Sequence, residues 1–492
     1  MIKVELLNQT FLRVFADDSI SQELSDYFTF DVPGARFTPK FRAKMWDGKI
    51  RLFNLMRKTL YTGLLNHLER FAKDNDYEMS YGNGVKIGNS LEREEVVSFV
   101  DGLNLHGHGE KIVVRDYQYD AIYTGLYNRR VVLLSPTASG KSAIIYSILR
   151  YHLQHNRKCL IVVPTTSLVE QMYSDFIDYS SHNGWDVSEY CHRLYSGMDK
   201  NFGKSVLIST WQSLVKKTPA WFNQFNVVFG DEAHLFKAQS LTGIMENMPN
   251  IQYRIGTTGT IDGKFVHKLV LEGVFGPVYD VTTTKKLMTA KHITNLKIKC
   301  LVLRYDAELS KLLKKTTYQD EIDFVTAYQK RNMFIANLAI ACEGNTLVLF
   351  QLVEKHGKPL MDLILNKAAD KRKVFFVYGK TKVDVRESVR ELTAMETNAI
   401  IVASYGVMST GVNLPSIENI IFASPSKSKI RNLQSIGRGL RLSPNKDHCN
   451  LFDIADNLTY KRRVNFGMKH LEARCKIYAE EDFDFKIINI PI

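Results

Sequence analysis

The 492 residues exceed what one ordinary hydrophobic core holds, and at roughly 150 residues per domain they divide into about three domains. With 45% hydrophobic and 24% charged residues the composition excludes global disorder, no apolar run approaches the roughly 20 residues that span a bilayer, and "MIKVELLNQTF" lacks the layout of a secretory signal, so a soluble protein of the cytoplasm with no membrane partner is expected. A net charge of +13 and a pI near 9.2 favour a polyanionic partner, nucleic acid foremost, while six scattered cysteines without a C-x-x-C argue against structural zinc, an iron-sulfur cluster or a disulfide framework.

Residues 1–105 carry no phosphate-loop signal and are read as a small α+β N-terminal domain that binds DNA. Within them "RFTPKFRAKMWDGKIRLFN" (36–54) interleaves Arg36, Lys40, Arg42, Lys44, Lys49 and Arg51 with Phe37, Phe41, Trp46 and Phe53. Such charges meet phosphates, and such rings stack on unpaired bases or else fill a small core. DNA contact is the preferred reading for Lys40, Arg42 and Lys44, and core packing for the aromatics. "HGHGE" (106–110) reads as a flexible connector, because two histidines, His106 and His108, in a short glycine-rich stretch do not by themselves complete a metal site.

From residue 131 short apolar segments alternate with longer amphipathic ones, the pattern of βα units that build a parallel sheet. The first set of strands is expected at 131–135, 159–164, 205–210, 226–232 and 253–258, within a domain spanning 106–285. A second set is expected at 345–353, 373–379, 398–404, 419–424 and 450–456, within a domain spanning 286–492. Strands covered on both faces need no alternation, and these have little, so the fold class is α/β with two doubly wound parallel-sheet domains in tandem. The polar, basic "TTTKKLMTAKHITNLKIK" (282–299) is placed as the hinge.

The first of these strands runs into "SPTASGKS" (135–142) and then into helix-like sequence. A loop in that position offers backbone N–H groups at the positive end of a helix dipole, where phosphate binds. Pro136, Thr137, Ala138, Ser139 and Gly140 would form the cradle, Lys141 would reach the β- and γ-phosphates of ATP, and the Ser142 hydroxyl would ligate Mg²⁺. Ser135 stands where a glycine is usual. "NVVFGDEAH" follows another strand with adjacent carboxylates: Asp231 can hold the metal through water, and Glu232 can orient and deprotonate the attacking water. In "QSIGRGLR" (434–441), Arg438 and Arg441 fall on one face of a helix and can stabilise charge on a transferring phosphoryl group.

The succession "VVRDYQYDAI", "SPTASGKS", "PTTSLVEQ", "STWQSL", "DEAH", "TTGT", "ASYGVMSTGVNLP" and "QSIGRGLR" resembles the ordered motifs of superfamily 2 helicases and translocases. The resemblance implies two RecA-like domains that clamp ATP and move along nucleic acid. It implies nucleotide contacts for Arg115, Gln118 (recognising adenine) and Gly411, coupling roles for His234, Thr258 and Thr260, a nucleotide and strand contact for Asn413 where the family often has Asp, and backbone contacts for Thr165, Thr210 and Thr410. The RNA-remodelling DEAD-box branch carries different adenine, third and last motifs, which favours DNA.

The segments 36–54, "YTGLL", "TTTKKLM" and "HLEARCKIYAEEDFDF" resemble the phage UvsW-type helicases, so that likeness extends over nearly the whole chain. It implies a phage enzyme acting on branched or forked DNA, by branch migration of four-way junctions, fork regression and unwinding of D-loops or R-loops. The alternatives are a helicase for RNA or RNA–DNA hybrids, and a junction-binding or annealing protein that uses ATP only as a switch.

Overall fold

The computed structural model describes residues 1–492 except 33, 86–89, 108, 199–202, 262–264, 380, 382–388, 390–391, 394, 410–416, 425–427, 429–432, 434, 438–439 and 441–447. The chain forms two compact units, one of residues 1–135 with 140–281 and one of 136–139 with 282–492.

The first unit opens with a mixed sheet ordered Phe53–Asn54, Thr59–Tyr61, Phe11–Phe15, Ile2–Leu6 and Met79–Tyr81. Its strands alternate: Ile2 and Val4, Leu12 and Val14 are buried with Lys3 and Arg13 outside, as a sheet with one covered face requires. Helices Asp18–Tyr27 and Leu65–Asp74 cover that face through Ile20, Leu24, Leu68 and Phe71. The Asp17 carboxylate starts the first of them by accepting from the Ile20 N–H at 2.9 Å.

This α+β region is seated on the rest of its unit. Leu269 and Val270 of helix Phe265–Phe275 complete its core. Gly63 is required there, since a Cβ would lie 1.9 Å from the Glu272 carbonyl oxygen. His67 Nε2 meets the Glu272 carboxylate at 2.7 Å, and the wholly buried Arg254 donates to Thr10 Oγ1 at 2.7 Å.

The second sheet of this unit is parallel throughout, in the order Cys191–Leu194, Val206–Thr210, Cys159–Val163, Val227–Asp231, Tyr253–Thr258, Arg130–Leu134 and Val278–Asp280. Its two faces are covered by different partners. Val131, Leu133, Ile161 and Phe229 pack with Ile144, Ile145 and Ile148 of helix Lys141–Gln154, while Val132, Leu160, Val162 and Val228 pack with Leu241, Met245, Leu271 and Phe275. Neighbours along one strand therefore enter two cores, which is why the sequence shows apolar runs instead of alternation.

The second unit repeats this plan with Val374–Val377, Ile400–Ser404, Thr346–Phe350, Asn419–Phe422, His448–Asn457, Asn295–Arg304 and Phe485–Pro491, again all parallel. Two fully buried ion pairs brace it, Arg331 to Asp456 and Arg474 to Asp453, each at 2.7 Å. Tyr478 Oη also donates to Asp453 at 2.9 Å, so the closing helix Phe466–Glu480 is fastened to the sheet by two side chains one turn apart.

Two expectations need correction. The segment 282–299, expected as a hinge, does begin where the first compact unit gives way to the second, but it is structured, containing helix Thr284–Thr289 and the start of strand Asn295–Arg304. Leu296, Ile298 and Cys300 point inward while Asn295, Lys297 and Lys299 face out, so the last two lysines of the segment belong to the exposed side of an ordered strand. The connector at 106–110 is also structured: His106–Gly107 pairs with Glu110–Lys111, and the His106 ring stacks on His182 with centroids 4.0 Å apart. His108 lies outside the described residues.

Two buried histidines make stability depend on pH. Burial pushes His152 and His356 from 6.5 down to about 3. Both stay neutral in the folded chain while the unfolded chain takes up protons below pH 6.5, so stability that is complete above 6.5 is lost as pH falls toward about 3. Each site contributes a slope of about 1.4 kcal/mol per pH unit in that window. In urea titrations at pH 7 and pH 5, His152→Gln is expected to show a smaller drop than the native chain; an equal drop would contradict the assignment.

Candidate active site and its relatives

The C-terminal edge of the first parallel sheet gathers the predicted chemistry. Register places Asp231 beside Thr257 and Leu134 beside Thr258, so the phosphate loop, the carboxylate pair and the threonines share one edge, where open α/β sheets bind ligands.

The loop is shaped by its backbone. Ala138 and Gly140 have φ of +67° and +85°, and the latter conformation favours glycine. A Cβ on Gly140 would sit 2.3 Å from Gln118 Nε2, so the predicted adenine-recognising amide lies directly against the loop. Its carbonyl end is fixed by the Arg115 N–H at 2.9 Å in a capping box, while Arg115 Nη1 donates to Tyr117 Oη at 2.9 Å. Ser139 Oγ donates to the Pro136 carbonyl at 2.6 Å, and Lys141 Nζ to the Ser135 carbonyl at 3.0 Å. Helix Lys141–Gln154 begins at Gly140 with no side-chain cap, which leaves its first N–H groups to an anion. The Ser142 hydroxyl is hydrogen-bonded to Tyr179 Oη at 2.8 Å.

Asp231 ends strand Val227–Asp231 and is buried, accepting from Thr257 Oγ1 at 2.9 Å. Burial and the neighbouring Glu232 charge push it up to about 6, against the pull of Lys141 and the Thr257 hydrogen bond. A carboxylate so placed gains from a cation. With the Ser142 hydroxyl it offers hard oxygen donors of the kind Mg²⁺ prefers.

Glu232 sits in the left-handed region at φ +51°, which turns the chain sharply out of the strand. Its carboxylate is 3.3 Å from His234 Nδ1, and that nitrogen is 3.0 Å from Thr258 Oγ1. Thr258 Oγ1 in turn donates to the Thr260 carbonyl at 3.0 Å. The chain Glu232, His234, Thr258, Thr260 thus joins the site of a would-be catalytic base to the end of the adjacent strand.

Other predicted residues stand apart from this cluster. Thr165 caps helix Thr166–Ser180 by accepting from the Leu168 N–H at 3.4 Å, and Thr210 is buried with its hydroxyl 3.2 Å from Ser213 Oγ. Lys40, Arg42 and Lys44 are exposed on the N-terminal region. Thr410, Gly411, Asn413, Arg438 and Arg441 lie outside the described residues. Phe37 and Phe41, expected in a small core, are 63% and 37% exposed, whereas Phe53 is buried. The segment that carries the first two is too short to enclose both its rings and its charges.

Thr257 and Tyr179 were not anticipated. The first is visible only once parallel register sets it beside Asp231, and the second belongs to a different helix from its partner.

Three family profiles match the chain: "DNA helicase UvsW, N-terminal" over residues 1–82, "Type III restriction enzyme, res subunit" over 111–263, and "Helicase conserved C-terminal domain" over 329–443. The ATP-dependent DNA helicase uvsW of Enterobacteria phage T4 is 34% identical, with 99% of this chain aligned to 100% of that one. The crystal structure of T4 UvsW superposes with a TM-score of 0.52 at 32% identity, covering 100% of this chain and 99% of that one. The DNA 3'-5' translocase XPB2 of Sulfurisphaera tokodaii is 26% identical over 71% of this chain and 83% of its own. An alignment that runs end to end through the N-terminal region as well as both parallel-sheet regions shows that the chain belongs to the UvsW family of superfamily 2 helicases.

Proposed function

We propose that this UvsW-family enzyme, an ATP-dependent DNA helicase, spends ATP on remodelling branched or forked DNA: branch migration of four-way junctions, fork regression, and unwinding of D-loops or R-loops. The observation that carries the reading is the end-to-end likeness to a phage DNA helicase, N-terminal region included. Residues 1–105 would engage DNA, residues 106–285 bind ATP, and residues 286–492 form the second motor domain, in a host bacterial cytoplasm.

Lys141 and the N–H groups at the start of its helix would hold the β- and γ-phosphates, with Arg115 and Gln118 on the nucleotide's base side. Ser142 and Asp231 would hold Mg²⁺, which when bound supplies charge neutralisation at the phosphates. Glu232 would orient the attacking water and accept its proton. Movement of Glu232 would reach Thr258 and Thr260 through His234, which supports the coupling role of these residues. Arg438 and Arg441 would supply the guanidinium groups that stabilise the transferring phosphoryl group, with Thr410, Gly411 and Asn413 meeting nucleotide and strand. Thr165 and Thr210 remain proposed backbone contacts, their hydroxyls already serving local structure.

DNA engagement by the N-terminal region is tested through salt. Each phosphate contact adds about 0.9 to the slope of log K against log salt. Replacing Lys40, Arg42 and Lys44 together by alanine should therefore flatten the slope by up to about 2.7 and weaken binding most at low salt. An unchanged slope would remove these residues from the DNA contact.

A further inference from the structure

The strands Thr29–Asp31 and Lys49–Arg51 pair with Phe30 opposite Ile50, and the residues between them form an arm. The arm folds on itself in a limited way. Thr38 caps the short helix Pro39–Arg42, and Gly48, at φ +80°, closes against Ala35 and one edge of the Phe41 ring. Phe37 is nevertheless 63% exposed, Met45 78% and Phe41 37%. Single exposed apolar residues are ordinary, but large ones held together on one short arm need a partner to cover them.

The charges around them state its chemistry. Arg36, Lys40, Arg42, Lys44 and Lys49 are exposed, and among the described residues no ion pair engages them. The arm's one carboxylate, Asp47, is committed to Arg51 at 2.5 Å and to the Lys49 N–H at 3.1 Å. The Arg36 guanidinium lies 4.9 Å from the Phe37 ring centre, so cation and ring already present one surface.

A polyanion whose flat apolar faces are within reach fits this surface. Inside a duplex those faces are covered by neighbouring pairs, and they open only where stacking ends. We propose that Phe37, Phe41 and Met45 form a platform that packs on the open face of a base or base pair at a DNA branch point, while Arg36, Lys40, Arg42 and Lys44 hold the phosphates on either side. The proposal rests on the reading of the chain as a DNA motor. The arm's root is anchored to the motor. Phe30 meets Phe265 edge to face with centroids 5.7 Å apart, and Phe265 opens the helix that follows Thr260. A branch on the platform would thus be held against the helix Phe265–Phe275 of the motor.

The test uses the full chain with a four-way junction carrying 2-aminopurine at the branch point, beside an unbranched duplex of equal length. Native protein should change the 2-aminopurine emission on binding. The variant Phe37→Ala/Met45→Ala, and separately Phe41→Leu, which keeps bulk against Gly48 without a ring, should lose most of that change. Both should bind the junction at least about fivefold more weakly, with duplex affinity kept. An unchanged emission response, or equal losses for junction and duplex, would overturn the platform. Arm-dependent capture by anionic phosphatidylserine vesicles with no emission response would replace DNA with a membrane surface. Failure of the native chain to bind either DNA would instead remove the DNA reading beneath it.

Discussion

Lys141→Ala is expected to lower ATP turnover by about 10²-fold or more while DNA binding persists. The ammonium group stands at the start of a helix whose N–H groups have no side-chain cap, and its hydrogen bond to the Ser135 carbonyl at 3.0 Å holds it against the loop. It also opposes the upward push on Asp231 from burial and Glu232. Its loss removes a phosphate contact and makes the buried carboxylate harder to ionise. The basic arm carries neither role, so DNA affinity should stay within a few-fold of native. Turnover within tenfold of native would contradict the phosphate-binding role.

Glu232→Gln should retain ATP binding and lose hydrolysis by about 10²- to 10⁴-fold, the range associated with removing a positioned general base. The amide keeps the size of the carboxylate and an oxygen able to accept from His234, 3.3 Å away, but it cannot take a proton from water. Single-turnover hydrolysis beside nucleotide-binding titration separates the two effects. Weakened binding with intact chemistry would mean that Glu232 serves the nucleotide and not the water.

How much of this was legible in the sequence follows from burial. The inner strands of the first parallel sheet, and those of the second other than Asn295–Arg304, are legible because residues such as Val131, Val132 and Leu133 enter cores on both faces and leave unbroken apolar runs. Cys191–Leu194, Val278–Asp280 and Phe485–Pro491 lie at sheet edges, where partial exposure admits His192, Arg193, Asp280 and Lys486 and hides the pattern. Asn295–Arg304 was masked by its lysines, which occupy the outward positions of an alternating strand.

The site divides the same way. Gly140, Lys141, Asp231 and Glu232 sit in contiguous motifs whose chemistry depends on local spacing. The Asp231–Thr257 bond and the path from Glu232 through His234 to Thr258 depend on which strands are neighbours, and no local spacing encodes that. For the arm, composition gave its charge, but the outward placement of Phe37 required the fold.

The measurement that bears most directly on the central claim is steady-state ATPase with no nucleic acid, single-stranded DNA, linear duplex, a synthetic four-way junction and RNA, each repeated with Glu232→Gln as the blank. The account predicts the strongest stimulation from the junction, abolished in the blank. Stimulation by RNA alone would contradict the DNA assignment, and no stimulation by any of them would leave an ATP-gated binding protein in place of a motor.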